Sequence, residues 1–210
     1  MNLYVKPDQP VVSYLTPLTG LTAETLERHG TSLSLALATL RQALPRSAVL
    51  VGQSISTDVQ WLGLQEGVDF VSLVDLAGLY RVWNTQYKSW SVFGQDHLAR
   101  VLLGVDNAGC VSRQHCTLSS WRLALCPHAS CSPVTACREA HNAVTDAQKS
   151  IRLFNLHARL SRDPEQLASA HQTLLANQPQ PSFARLNPTF EGVCMGNKKT
   201  CACGGAMMFY

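Results

Sequence analysis

The sequence predicts an α/β layer fold, and three observations support this prediction. Short apolar runs that suit buried strands alternate with longer segments of helical periodicity. Hydrophobic residues make up 46% of the 210 residues and charged residues only 15%, so the chain can bury a core. Strands and helices in alternation are typical of a sheet covered by helices.

The N-terminal segment predicts one strand end and two helices. Residues 3–6 have the composition of a strand that stops at a turn. Thr22 is a suitable N-cap for a short helix over residues 22–29. Leucines at spacings of four, three and four predict an amphipathic helix over residues 32–44, which Pro45 ends.

The central segment continues the alternation. Residues 48–51 and 70–74 are apolar runs typical of buried parallel strands. Residues 58–64, 75–83 and 95–103 are helical in character, the last with apolar residues on one face.

A change of composition divides the chain into two parts. Residues 105–138 are rich in Cys and Ser and weakly periodic, and we interpret them as an insertion. A long helix is expected from residue 142 to 160 and a shorter one over 164–176. We therefore expect one domain over 1–160, with residues 105–138 inserted in it, followed by a C-terminal helix and Cys-rich tail over 161–210.

Charge and hydropathy limit the functional classes. A net charge of +3 permits a nucleic-acid partner without indicating one, because dedicated electrostatic binders have a pI above about 9 and clustered basic residues. No apolar run approaches the roughly 18 residues of a membrane span, and residues 1–20 lack a secretory signal. We expect no membrane partner and an intracellular location, nuclear or cytoplasmic.

Two stretches contain candidate catalytic residues. Asp58 follows the apolar run 48–51 and a Gly turn, and His141 lies five residues before Asp146 at the start of the long helix. Carboxylate oxygens are the ligands that Mg²⁺ prefers, and His titrates in the range of a general base. Each residue also has a structural explanation, as a helix cap, a loop residue or an acidic complement to a helix dipole.

Several stretches together resemble the DEDDh-type (DnaQ-like) 3′–5′ exonucleases, specifically their RNA exonuclease branch. The similar segments are V-x-P with T-G-L-T in residues 5–22, the second exonuclease motif in 50–58, the strand and helix in 73–80 and 98–104, and the third motif H-x₄-D in 141–147. The resemblance covers about residues 3–104 and 139–157.

The resemblance implies both a fold and an activity. The fold would be a ribonuclease H-like mixed sheet flanked by helices. The activity would be metal-dependent 3′–5′ hydrolysis from the 3′ end of a single-stranded nucleic acid, with RNA favoured over DNA. Asp58 and Asp146 would bind Mg²⁺ or Mn²⁺ in a two-metal site, and His141 would be the general base.

The sequence departs from the family in four respects. Gln53 stands where His is commoner, and no Asp-x-Glu pair precedes Asp58, although such a pair supplies the family's remaining metal ligands. The first two strands of the family are also absent, and residues 105–138 replace a shorter connection. An incomplete gene model would account for the missing strands and the insertion, and we expect weak or no activity from the chain as printed.

Two groups of cysteines suggest a second kind of metal site. Cys194, Cys201 and Cys203 could contribute three zinc ligands in the tail, and five further cysteines lie in residues 110–137. Free thiols are the alternative in both places. A zinc-stabilised module is therefore one alternative function.

Aromatic residues cluster between positions 80 and 93. Rings of this kind either stack on bases of single-stranded nucleic acid or pack a loop onto the core. The members are Tyr80, Trp83, Tyr87, Trp90 and Phe93. A non-catalytic nucleic-acid-binding or interaction domain is accordingly a further alternative function.

Overall fold

A computed structural model describes residues 1–105 and 142–193 of the chain. The strands are β1 (Tyr4–Val5), β2 (Gly30–Thr31), β3 (Val49–Gly52), β4 (Ser72–Asp75), β5 (Val82–Asn84) and β6 (Ser89–Ser91). The helices are α1 (Thr16–Thr19), α2 (Ala23–His29), α3 (Leu33–Ala43), α4 (Ile55–Trp61), α5 (Leu76–Leu79), α6 (Gln95–Leu98) with a π-helix (Ala99–Leu103), α7 (Ala143–Leu160), α8 (Pro164–Ala176) and α9 (Phe183–Leu186).

The predicted central strands form a parallel pair. β3 and β4 run in register from Val49 opposite Ser72 to Gly52 opposite Asp75. A parallel pair needs a crossover, and α4 provides it. Within the described ranges the strands form three separate pairs, with β1–β2 and β3–β4 parallel and β5–β6 antiparallel. The expected mixture of strand directions is confirmed, although the pairs are not joined into one sheet.

Side-chain caps mark the starts of two predicted helices. The Thr22 side chain accepts a hydrogen bond from the Thr25 amide, and the Ser32 side chain accepts one from the Leu35 amide. These bonds satisfy amide groups that have no partner within the helix. The predictions for α2, α3, α7 and α8 are therefore confirmed to within a residue or two.

Two predicted helices differ from the structure. α4 begins at Ile55 rather than at Asp58, because Ser54 turns the chain with a left-handed φ of 54° directly after β3. The segment predicted as a helix over 75–83 is helical only in α5, after which the chain enters the β5–β6 hairpin.

Two hydrophobic clusters position the elements. Leu76, Tyr80, Leu98 and Leu153 are buried in the larger cluster, which joins α5, α6 and α7. The smaller cluster contains Val59, Leu64 and Phe70, with side chains of α3 and β3 packed against it. No helix in residues 1–105 or 142–193 is long and apolar enough to cross a membrane.

Candidate functional site

Asp58 is presented by a tight turn between β3 and α4. A Cβ atom on Gly52 would lie 2.8 Å from Ile55 Cδ1 and 3.2 Å from Ile55 Cβ, so the strand end suits glycine. Ser54 follows in the left-handed conformation, which is costly for a residue other than Gly. Asp58 lies in the first turn of α4, and its side chain is exposed.

The end of β4 holds this turn in place. One Asp75 carboxylate oxygen accepts hydrogen bonds from the Ser54 amide at 2.9 Å and from the Ala77 amide at 2.8 Å. Asp75 therefore caps α5 and fixes the strained residue before α4. Its role in the described structure is to position the turn that carries Asp58.

Asp146 lies in the first turn of α7, beside a buried lysine. The Lys149 amine is 2.9 Å from the Asp146 carboxylate and 3.2 Å from the Asp96 carboxylate. Lys149 is only 4% exposed, whereas Asp96 and Asp146 are half-buried. Burial of an ammonium group is costly unless it is paired, and these two carboxylates supply the pairing.

Lys149 carries its charge in this environment. Burial lowers the pKa of Lys149, but the hydrogen bonds and negative charges of Asp146 and Asp96 outweigh it, so the pKa lies above its usual value. A divalent ion approaching Asp146 would therefore meet an ammonium group already bound to that carboxylate.

Polar side chains connect the two aspartate-bearing helices through the segment between β6 and α6. The Gln53 amide nitrogen donates to the Phe93 carbonyl at 3.1 Å. Two residues later, the Gln95 amide nitrogen donates to the Asp146 carbonyl at 2.9 Å and to the Ser150 hydroxyl at 2.6 Å. α7 also packs against β3. The first turn of α7 is thus tied to the segment that contacts the end of β3.

The structure describes two of the three residues predicted to be catalytic. Asp58 and Asp146 each lie in the first turn of a helix that packs against β3. His141 lies outside the described residues, as do the possible zinc ligands, Cys194, Cys201 and Cys203. The insertion predicted over 105–138 also lies outside them, apart from its first residue.

Asp58 and Asp146 are the type of ligand that a hard divalent ion prefers, but the described residues supply too few ligands for a complete site. No group of three or more Asp, Glu, His or Cys side chains in the described ranges could hold a metal. Mg²⁺ is bound by one or two protein carboxylates together with water and phosphate oxygens. Asp58 and Asp146 could supply such carboxylates, but the described residues do not complete a two-metal site.

Sequence reasoning missed Lys149 and Asp96. Their contact joins residues 53 positions apart, and no local sequence pattern predicts it. A lysine three residues after Asp146 on one helix face was the only available signal.

A cavity of about 310 Å³ lies elsewhere on the described surface. It is formed by residues 6–11 together with Tyr14 and the α2 residues Ala23, Leu26 and Glu27. Neither Asp58 nor Asp146 lines it, so this cavity is not the candidate site.

The chain has a ribonuclease H-like α/β fold. The structure matches the catalytic unit of Pan2 from Neurospora crassa, which comprises a protease and a nuclease domain, with a TM-score of 0.53 and 17% identity over 85% of this chain and 24% of that one. This likeness confirms the predicted fold class. No family model matches the sequence.

Relatives in sequence are RNA-degrading nucleases. The chain is 35% identical over 80 residues to small RNA degrading nuclease 3 of Arabidopsis thaliana, a match covering 38% of the chain and 10% of that protein. It is 28% identical over 181 residues to RNA exonuclease 5 of Rattus norvegicus, covering 86% of the chain and 19% of that protein. The chain spans less than a fifth of the length of these relatives, and its predicted resemblance to the RNA exonuclease branch is confirmed.

Proposed function

We propose that this chain is an RNA 3′–5′ exonuclease domain that removes nucleotides from single-stranded 3′ ends. The observation that supports this most directly is the position of Asp58 and Asp146, each in the first turn of a helix packed against β3. Similarity to proteins named as RNA-degrading nucleases favours RNA as the substrate.

Each candidate residue has a distinct role in this proposal. Asp58 and Asp146 would hold Mg²⁺ or Mn²⁺, which when bound neutralises phosphate charge and favours ionisation of water. A ring nitrogen of His141 would accept the proton of the attacking water. The water oxygen would then bond to phosphorus, and the bond from phosphorus to the 3′ oxygen of the shortened RNA would break, with that oxygen taking a proton from solvent. Gln95 and Asp75 act as positioning residues for the turns that carry the two aspartates.

The 210-residue chain as printed should have little or no activity. Two carboxylates leave divalent ions weakly held, and Lys149 competes for one of them. A misplacement of about 1 Å can cost roughly 100-fold in rate.

The test uses the 210-residue chain and a second protein in which an Asp-x-Glu strand from a relative is restored upstream. A 5′-labelled single-stranded RNA is incubated with each protein in Mg²⁺, in Mn²⁺ and in EDTA. The restored protein should give a ladder of shortened products in either metal and none in EDTA. Asp146→Asn and His141→Ala should each lower its rate by about 100-fold or more.

Matched controls change similar side chains away from the site. Glu24→Gln and His29→Ala replace an exposed carboxylate and an exposed imidazole on α2, and both should leave the ladder unchanged. An inert restored protein, or a ladder that persists in EDTA, contradicts the exonuclease proposal.

A second candidate function is non-catalytic binding of nucleic acid. The ion pair between Lys149 and Asp146 favours it, because that carboxylate is already neutralised by a protein cation. An RNA that binds the restored protein without being shortened would support this alternative. Stoichiometric zinc after dialysis against a weak chelator would instead support a zinc module formed by Cys194, Cys201 and Cys203.

A further inference from the structure

The β5–β6 hairpin exposes three aromatic rings. Tyr80 and Phe93 flank it and are buried, as expected for core residues. Trp83, Tyr87 and Trp90 are 48%, 70% and 52% exposed. The aromatic cluster seen in the sequence is therefore divided into two core residues and three surface rings.

The two tryptophans form an ordered pair. Trp83 lies directly opposite Trp90, with ring centroids 5.5 Å apart and planes at 75°. The Asn84 side-chain oxygen accepts hydrogen bonds from the Gln86 and Tyr87 amides, which stabilise the connecting turn. The rings are thus held in place before any ligand arrives, which lowers the entropic cost of binding.

The charge of the hairpin suits a polyanion. Residues 81–91 contain Arg81 and Lys88 and no acidic residue. The Arg81 guanidinium lies 4.6 Å from the centroid of the Trp90 ring. A ring pair with adjacent cations can contact both the bases and the phosphates of a nucleic acid.

The hairpin leads directly to the candidate site. Four residues after β6, the Gln95 side chain bonds to the first turn of α7 at the Asp146 carbonyl. Val82, in the first strand of the hairpin, packs against the larger hydrophobic cluster. Gln95 therefore links the chain that follows the hairpin to the helix that carries Asp146.

We propose that the β5–β6 hairpin is a binding site for single-stranded RNA, whose bases stack on Trp83 and Trp90 while Arg81 and Lys88 contact phosphates. The identity of the ligand rests on the proposed function. Apart from Tyr87, residues 84–89 at the end of the hairpin are polar, which disfavours the extended apolar surface that a second copy of the chain would need.

Binding is measured with a fluorescein-labelled 12-nucleotide poly(U) RNA, by anisotropy in EDTA, so that no hydrolysis is required. Trp83→Leu and Trp90→Leu should each weaken binding about tenfold, because each removes one stacking surface. Trp83→Phe and Trp90→Phe keep a ring and should retain most of the affinity. Leu35→Ala removes exposed apolar surface on α3 and should leave affinity unchanged.

The cations give an independent readout. Arg81→Gln combined with Lys88→Gln should reduce the slope of log affinity against log salt by about 1.4, since each phosphate contact on a single strand contributes about 0.7. A duplex of the same length should bind more weakly than the single strand. The salt dependence of this double variant still tests the site if a tryptophan variant fails to fold.

Several results would overturn the inference. The printed chain could fail to bind RNA, the leucine variants could bind as well as the parent, or they could change the mass measured by light scattering instead of RNA affinity. Failure of the exonuclease proposal is distinguishable. If the restored protein is inert but its RNA affinity depends on Trp83 and Trp90, the hairpin proposal stands and the exonuclease proposal fails. If the restored protein is active and its RNA affinity does not depend on these rings, the hairpin proposal fails and the exonuclease proposal stands.

Discussion

At the scale of single residues, Lys149 is the feature that most alters the chemistry of the site. Its amine lies between Asp146 and Asp96 in a position where a buried charge requires compensation. The same contact lowers the negative charge available to a divalent ion at Asp146. Lys149 therefore stabilises the first turn of α7 and weakens its capacity to bind metal.

Replacing Lys149 with Met should separate these two effects. Loss of the amine removes its ion pairs with Asp146 and Asp96. We expect the free energy of unfolding to fall by roughly 1–3 kcal/mol, less than for a fully buried pair because both acids are partly exposed. Mg²⁺ at 10 mM should raise the melting temperature of Lys149→Met more than that of the parent, since the ion replaces the lost cation. The exposed Lys88→Met is the control, and an equal Mg²⁺ response in all three proteins would contradict the interpretation.

At the scale of secondary-structure elements, local chemistry explains what the sequence predicted. Thr22 and Ser32 cap α2 and α3 with bonds that span only three residues, so the signal is contained in the sequence itself. The apolar runs of β3 and β4 are equally local, and the prediction that both are parallel strands is confirmed.

The β5–β6 hairpin was missed because its local signal is misleading. Leu76, Leu79, Tyr80 and Trp83 have the spacing of one helix face. The turn contains no Asn-Gly or Asp-Gly pair, and Lys88 adopts the left-handed φ of 48° that such a pair normally supplies. The packing of Val82 on the core is a tertiary contact that stabilises β5 as a strand.

The candidate site was predictable only in part for the same reason. Asp58 and Asp146 were identified from motifs within short stretches of the chain. Their positioning depends on Asp75, Gln95 and Lys149, whose contacts cross 21 to 53 residues of sequence. Distances of this kind are set by the packing of helices and strands and have no local signature.

Substitution of Asp75 tests how strongly the end of β4 stabilises the turn before α4. Asp75→Ala removes the acceptor for the Ser54 and Ala77 amides, and we expect a loss of about 1–3 kcal/mol in the free energy of unfolding. Asp75→Asn keeps a side-chain oxygen and should lose less. Urea unfolding measures both variants, and equal losses would show that the acceptor oxygen is not what matters.

Deletion tests the prediction that residues 105–138 are an insertion. Removing residues 107–135 should leave the thermal midpoint nearly unchanged, because weak periodicity indicates little contribution to a core. Differential scanning fluorimetry provides the measurement. A fall of more than about 5 °C, on the order of 1 kcal/mol, would show that this segment packs into the domain.

At the scale of the whole molecule, buried and half-buried polar rings connect the helices around the larger cluster. Burial raises the pKa of Tyr80 to about 12, and its hydroxyl donates to the Leu153 carbonyl at 2.8 Å. His157 lies edge-on to Tyr80 at 5.2 Å between ring centroids. His97 stacks on Phe93 at 5.2 Å. These contacts join α5, α6 and α7 through groups that are neutral at pH 7.

Three histidines make this core sensitive to acid. Burial lowers the pKa of His97, and the nearby Arg100 lowers it further against the raising effect of the Leu174 carbonyl. Burial also lowers the pKa of His157 and of His171. The His171 Nε2 atom is buried and has no hydrogen-bond partner among the described residues. Protonating any of the three would place a charge where the structure favours the neutral ring.

Stability should therefore fall as the pH drops below about 6.5, the usual histidine pKa in an unfolded chain. Each of these groups has a lower pKa in the folded protein, so unfolding takes up protons in this window, and each proton contributes up to about 1.4 kcal/mol per pH unit. Urea midpoints at pH 7.5, 6.5 and 5.5 should decrease in that order. His171→Leu should flatten the decrease, whereas His29→Ala, a change at an exposed site, should not. A midpoint that rises towards pH 5.5 would mean that these rings are protonated in the folded state, and the packing described for α5, α6 and α7 would then be wrong.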